Sequence, residues 1–109
     1  MTILLQVNYT PSAQQNAQSD EARVGAAENI ANNVGGLQWK VWIGSTSDNL
    51  RGGIYLFNDI ESARAWGEDN LRIRLAANGG TNISITYFDV DEKLSAISRA
   101  SIAKSAVPA

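Results

Sequence analysis

Cysteine and histidine are both absent from this chain of 109 residues. Without cysteine there are no disulfides, no thiolate nucleophiles, no Cys-ligated zinc and no iron–sulfur clusters. Without histidine there is no Ser-His-Asp triad, no His-ligated haem, no facial-triad iron and no imidazole acid or base. Basic charge is not in excess either: nine Lys and Arg against eleven Asp and Glu leave a formal net charge of −2. A general nucleic-acid partner, which needs a basic footprint, is therefore not expected. No apolar run approaches the roughly 20 residues of a membrane-spanning helix. Ile3, Leu4 and Leu5 give way at once to Gln6 and Asn8, too soon for a signal-peptide core. The expectation is a soluble, cytoplasmic protein with no membrane partner. The length suits a single domain, 1–109, with one hydrophobic core.

What is present is a change of hydrophobic period along the chain. Residues 2–9 alternate, with Ile3, Leu5, Val7 and Tyr9 on one side and Leu4, Gln6 and Asn8 on the other, the pattern of a half-buried strand. From Ser12 to Val34 the period becomes helical, with Val24, Ala27, Ile30, Ala31 and Val34 as the apolar stripe. Ser12 with Gln15 reads as a capping box, and Ser19 is the alternative cap, which would leave Asp20 solvated. Leu37, Trp39, Val41 and Ile43 alternate with Gln38, Lys40 and Trp42 in a second strand. After a polar loop, Gly52 to Phe57 closes a hairpin. Asn58 with Glu61 caps a helix reaching Ala77, and Asn82 to Val90 alternates again, with Ile83, Ile85 and Tyr87 on one face. A short helix from about 91 to 102 carries Leu94 and Ile97, and Lys104 to Ala109 is expected to fray. The Gly35-Gly36, Gly52-Gly53 and Gly79-Gly80 pairs read as turn punctuation.

The order βαββαβ plus a tail (about 91–109) predicts an α+β, ferredoxin-like domain: a four-stranded antiparallel sheet with two helices on one face. Leu4, Trp42 and Phe88 then oppose the helix side, so both sheet faces carry large apolar groups. Burial of one sheet against another, and hence a homodimer, follows.

Chemistry-bearing motifs are few. There is no G-x-G-x-x-G and no P-loop. Asp89-Val90-Asp91-Glu92 opens like a calcium loop, but the glycine and glutamate such a loop requires are replaced by Leu94 and Ala100. A helix cap explains that run better, and no metal site is expected. The unusual cluster is Trp39-Lys40-Val41-Trp42 facing Tyr55 and Phe57. Lys40 is either a cation held over aromatic faces, able to attract an anionic or enolate oxygen, or an edge-strand lysine with its ammonium in water. On the second helix, at about 100° per residue, Trp66, Ile73 and Ala77 form one apolar flank and Leu71 and Leu75 the other. Asn70 and Arg74 fall between the flanks, a placement that suits a wet or ligand-filled cavity. The other reading is that the helix unwinds around Gly67. Trp66 could wall a cavity with Trp42 and Tyr55, and Gln6, Asn8 and Thr86 are polar candidates on the sheet.

The stretch from Gly36 to Trp42, then Gly52-Gly53-Ile54-Tyr55-Leu56-Phe57, Glu61-Ser62-Ala63-Arg64-Ala65-Trp66, Phe88-Asp89-Val90 and Leu94-Ser95 resembles the YdhR-type family of mono-oxygenases. The resemblance implies a dimeric α+β barrel, two ferredoxin-like units joined sheet to sheet. It also implies kinship with cofactor-free oxygenases that turn aromatic polyketide phenols into quinones, where the deprotonated substrate itself passes an electron to dioxygen. In such a reaction Lys40, Tyr55 and Arg74 would be catalytic, stabilising a phenolate or enolate. Trp42, Trp66, Trp39, Gln6, Asn8 and Asn70 would bind the small-molecule substrate, with no cofactor and no metal. The missing histidine separates the chain from haem-degrading members of that superfamily. Two alternatives remain beside the oxygenase: a non-catalytic small-molecule-binding dimer, and a lyase or isomerase using the same carbanion-stabilising pocket.

Overall fold

The structure, a computed structural model, describes residues 1–102; the expected frayed end from Lys104 to Ala109 lies outside the described residues. β1 (Ile3–Thr10) pairs antiparallel with β3 (Leu50–Phe57) on one side and β4 (Thr81–Asp89) on the other. β2 (Leu37–Ser45) continues the sheet beyond β3, so the order is β2-β3-β1-β4. This is the ferredoxin-like α+β arrangement. Ile3, Leu5, Val7, Tyr55 and Phe57 face the helices and are buried with Ile30, Ala63, Trp66 and Leu71. Each such large side chain contributes about 1.5–3 kcal/mol by leaving water.

Capping sets the helix starts. Ser12 and Gln15 form the reciprocal box at the head of α1 (Ala13–Asn16), and Ser19 caps α2 (Asp20–Asn33), so both cap signals operate on separate helices. Asp20 is exposed at the first position of α2. The next cap is Asp59, which accepts from the Ser62 amide at the start of α3 (Ile60–Trp66). Asn58, the expected cap, is engaged otherwise: its amide donates to Gly36 and its carboxamide accepts from Gln38. Asp91 caps α5 (Glu92–Ile97), and Leu94 and Ile97 on that helix are exposed.

Two insertions alter the faces expected from periodicity. In β2 the pairing runs Leu37 with Phe57 and then Trp39 with Leu56, so Gln38 is an extra residue. A bulge of this kind reverses side-chain parity beyond it. Lys40 and Trp42 therefore join Tyr55 and Gly53 on the helix side, while Trp39, Val41 and Ile43 turn to the opposite face. Trp42 does not lie on the open face, as alternation alone would put it.

The second insertion is a π-helical turn, Gly67–Leu71, between α3 and α4 (Arg72–Ala77). It leaves Ala63, Trp66, Gly67 and Leu71 buried and turns Ile73 outward, 61% exposed. Gly67 lies against the Tyr87 hydroxyl and Leu5, and Tyr87 donates to Glu68 at 2.6 Å, fastening the turn to β4.

Gly36 and Gly79 have positive φ and act as the turn residues expected of them. Gly52 and Gly53 do not: they sit inside β3, where a Cβ on Gly53 would come within 2.7 Å of Lys40 Cε. The missing side chain at Gly53 gives Lys40 room to lie over the sheet, and Gly52 lets β1 approach closely at Val7 and Asn8. Among the described residues, no helix is long and apolar enough to cross a membrane.

Candidate functional site

Between the helices and the sheet lies a cavity of about 160 Å³. Five of the sequence candidates line it: Lys40, Trp42, Tyr55, Trp66 and Arg74. β2 delivers the first two because of its bulge, β3 delivers Tyr55 from the floor, and α3 and α4 bring Trp66 and Arg74 from above.

Lys40 Nζ stands 3.2 Å from the centre of the Trp42 ring and 4.6 Å from that of Tyr55. Burial, and then the nearby positive charge of Arg23, lower its pKa from 10.5 to about 7. The aromatic faces pull the other way, because their quadrupoles favour the ammonium. The amine therefore stands where it can both take and give a proton near neutrality. Burial pushes the Tyr55 phenol up to about 12, against a smaller opposing influence of Trp66, with Tyr9 adding to the rise. Tyr55 thus stays protonated as a donor. Its hydroxyl and the Trp66 indole nitrogen are both buried with no hydrogen-bond partner among the described residues. Leaving such groups unpaired is costly, and Trp66 stands near enough to Tyr55 to ease that cost in part. Arg74 lies 5.6 Å from the centre of the Trp66 ring at the outer rim.

The other four candidates are not brought into the cavity. Gln6 and Asn8 are on the opposite sheet face, joined to each other by a 3.0 Å hydrogen bond, and Thr86 pairs with Gln6 there. The β2 bulge places Trp39 on that face too, where its indole donates to the Ser101 carbonyl at 2.7 Å. Asn70 is swung out by the π turn, donates to the Ala65 carbonyl and edges a separate groove between α2 and α3.

Sequence reasoning missed two cations, Arg23 and Arg51, that also line the cavity. Both had a signal. Arg51 shares strand parity with Gly53, Tyr55 and Phe57, and Arg23 precedes Ala27 and Ile30 by four and seven residues on the α2 stripe. Arg51 is held by a 2.9 Å bond to the Gln15 carbonyl, and Arg23 stands 5.8 Å from the centre of the Trp42 ring. Together with Trp42 they also line an outer vestibule of about 540 Å³ at the β2–β3 hairpin end. Among the described residues, no group of three or more Asp, Glu, His or Cys is placed to hold a metal ion.

Comparison with known proteins bears on the fold and on the lineage. A crystal structure described as that of a "putative antibiotic biosynthesis monooxygenase" from Deinococcus radiodurans superposes with a TM-score of 0.60. It is 13% identical, and the match covers 81% of this chain and 91% of that one. A dimeric ferredoxin-like protein of unknown function from Jannaschia sp. CCS1 gives a TM-score of 0.54 at 17% identity, covering 83% of this chain and 100% of the other. No curated protein sequence matches significantly. Residues 4–101 match the family described as "Putative mono-oxygenase ydhR".

Proposed function

The chain belongs to the ydhR family, and from that membership we propose that it is a cofactor-independent mono-oxygenase of a small aromatic or polyketide-like phenol. The observation that carries this reading is the pairing, in one aromatic-walled cavity, of a lysine amine near neutrality with a protonated tyrosine whose buried hydroxyl lacks a well-formed hydrogen bond among the described residues. The neutral amine of Lys40 takes the phenolic proton. The resulting phenolate lies beside the ammonium so formed and accepts a hydrogen bond from Tyr55, with Trp42 and Trp66 flanking its ring and Arg74 at the rim. Partial burial of the cavity floor strengthens those interactions.

Dioxygen is the oxidant. The phenolate passes it one electron, and the radical pair collapses to a carbon–oxygen bond at an unsubstituted ring carbon ortho or para to the phenol. Loss of water from the peroxide then leaves a quinone. One oxygen atom of O2 becomes the new carbonyl, the other leaves as water, and the substrate supplies all four electrons, so no external reductant is consumed. The cation-rich, carboxylate-free lining suits an anionic organic intermediate and is a poor set of donors for a metal ion.

The apolar face opposite the helices supports a homodimer joined sheet to sheet. Val41 is 48% and Phe88 46% exposed there, beside Leu4, Ile43 and Ile54. The dimeric ferredoxin-like neighbour is consistent with the same assembly.

Oxygen uptake with naphthols and anthrones tests the proposal. Lys40→Met and Tyr55→Phe are each expected to slow uptake by about 100-fold or more, the usual worth of a positioned acid or base. Product formed at an undiminished rate without oxygen, or full activity in both variants, would refute it.

A further inference from the structure

Four of the chain's nine Lys and Arg residues line the 160 Å³ cavity: Arg23, Lys40, Arg51 and Arg74. No carboxylate lines it, although the chain has eleven, and none lines the vestibule outside. Among the described residues the one ion pair is Arg72 with Glu68, away from this region, so none of the four cations is paired with a carboxylate. Asp20, three residues before Arg23 on α2, edges only a shallow outer groove with it. Gathering like charges in a partly desolvated space is unfavourable unless an anion compensates.

The two arginines at the mouth are built differently from the groups inside. Arg51 spends one N–H on the Gln15 carbonyl, which fixes its fork and leaves other donors free, and Arg23, 5.8 Å from the centre of the Trp42 ring, lines the same two spaces. Guanidinium forks match a planar carboxylate, two parallel bonds at a time. Size adds a second constraint. A cavity of about 150 Å³ holds one benzene ring, so the inner space admits a single ring and the rest of a ligand must pass Trp42 into the vestibule. Anything attached opposite the buried end emerges between Arg23 and Arg51.

We propose that the ligand is a hydroxyaryl carboxylic acid that enters ring first, its phenol at Lys40 and Tyr55 and its carboxylate clamped between Arg23 and Arg51. The assignment rests on the proposed reading of the site for its phenol end and on the unpaired arginines for its acid end. Arg23 and Arg51 then determine specificity, and neither touches the reacting carbon.

Calorimetric titration with matched acid and amide pairs, from 4-hydroxybenzoic acid and 4-hydroxybenzamide to 6-hydroxy-2-naphthoic acid and its amide, tests this. At least one acid is expected to bind about tenfold or more tighter than its amide, the worth of a charge-assisted hydrogen bond. The gap should narrow with added salt, close in the Arg23→Gln/Arg51→Gln double variant and reopen in part in Arg23→Lys/Arg51→Lys. If no acid in the series outbinds its amide, or if the gap survives the Gln variant with its fold intact by circular dichroism, the proposal is overturned. Oxygen uptake on the same pairs keeps the two readings apart. Equal uptake from acids and amides overturns the carboxylate clamp and leaves the oxygenase standing. Selective acid binding with no uptake supports the clamp and overturns the oxygenase.

Discussion

Replacing Lys40 by methionine should make the protein more stable at neutral pH while removing its activity. In the folded chain the Lys40 ammonium holds its proton only below about 7, against an ordinary 10.5, chiefly because burial strips it of water. Between those values the unfolded chain binds the additional proton, so stability rises with pH across that window and is lowest below it. At about 1.4 kcal/mol for each tenfold change in acidity, the full gap amounts to about 5 kcal/mol below pH 7. Methionine fills similar space without a charge. Urea unfolding followed by tryptophan fluorescence should therefore show Lys40→Met more stable by up to about 5 kcal/mol at about pH 6, the gain shrinking steadily as the pH rises from about 7 towards 10.5. Lys40→Arg, charged throughout, should gain nothing at any pH. A gain that is the same at every pH, or a loss, would show that Lys40 is not desolvated and would remove the basis for treating it as the proton acceptor. Catalysis should report the same group, kcat/KM rising through about pH 7.

Two further perturbations probe the neighbouring geometry. Gly53→Ala places a methyl 2.7 Å from Lys40 Cε and 3.3 Å from the Tyr55 ring, so the flexible lysine must move off Trp42. Turnover should fall by about tenfold with Tm little changed, and unchanged turnover would show that the contact of Lys40 with Trp42 is dispensable. Val41→Asp puts a charge into the apolar sheet face and should convert a dimer to a monomer in sedimentation velocity; a species of unchanged mass would place the interface elsewhere.

The parts of the fold legible in the sequence are those where one periodicity runs uninterrupted. β1 and, from Ile83 onward, β4 alternate cleanly because a single buried face dictates every second residue, and the caps at Ser12, Ser19 and Asp91 each announce themselves by a side chain suited to an orphan amide. Legibility fails wherever a residue is inserted. Trp39 and Trp42 stand on both parities of β2, so no count of apolar residues could reveal the extra residue at Gln38. Around Gly67 the wider turn shifts the phase of everything after it. Leu71 and Trp66 thereby share the inside, and Asn70, central on an ideal helical wheel, faces out. The cavity side chains were easier to name than to assemble, since Lys40 and Trp42 reach Tyr55 only through that insertion. Arg23 and Arg51 went unread because each looks like an ordinary surface charge until the two elements are brought together.

The extra residue in β2 divides one strand between two masters: downstream of it, odd positions serve the open side of the sheet and even positions serve the chamber. Point substitutions can therefore tune ligand choice and subunit contact separately, because no side chain from Trp39 to Ile43 answers to both. A change of register cannot. Were Gln38 to pair with Leu56 instead of bulging out, the two sets would exchange in one stroke, sending Lys40 and Trp42 outside and turning Trp39 and Val41 into the chamber. Relatives that diverge in what they bind should accordingly vary freely in residue identity along this strand while keeping its bulge.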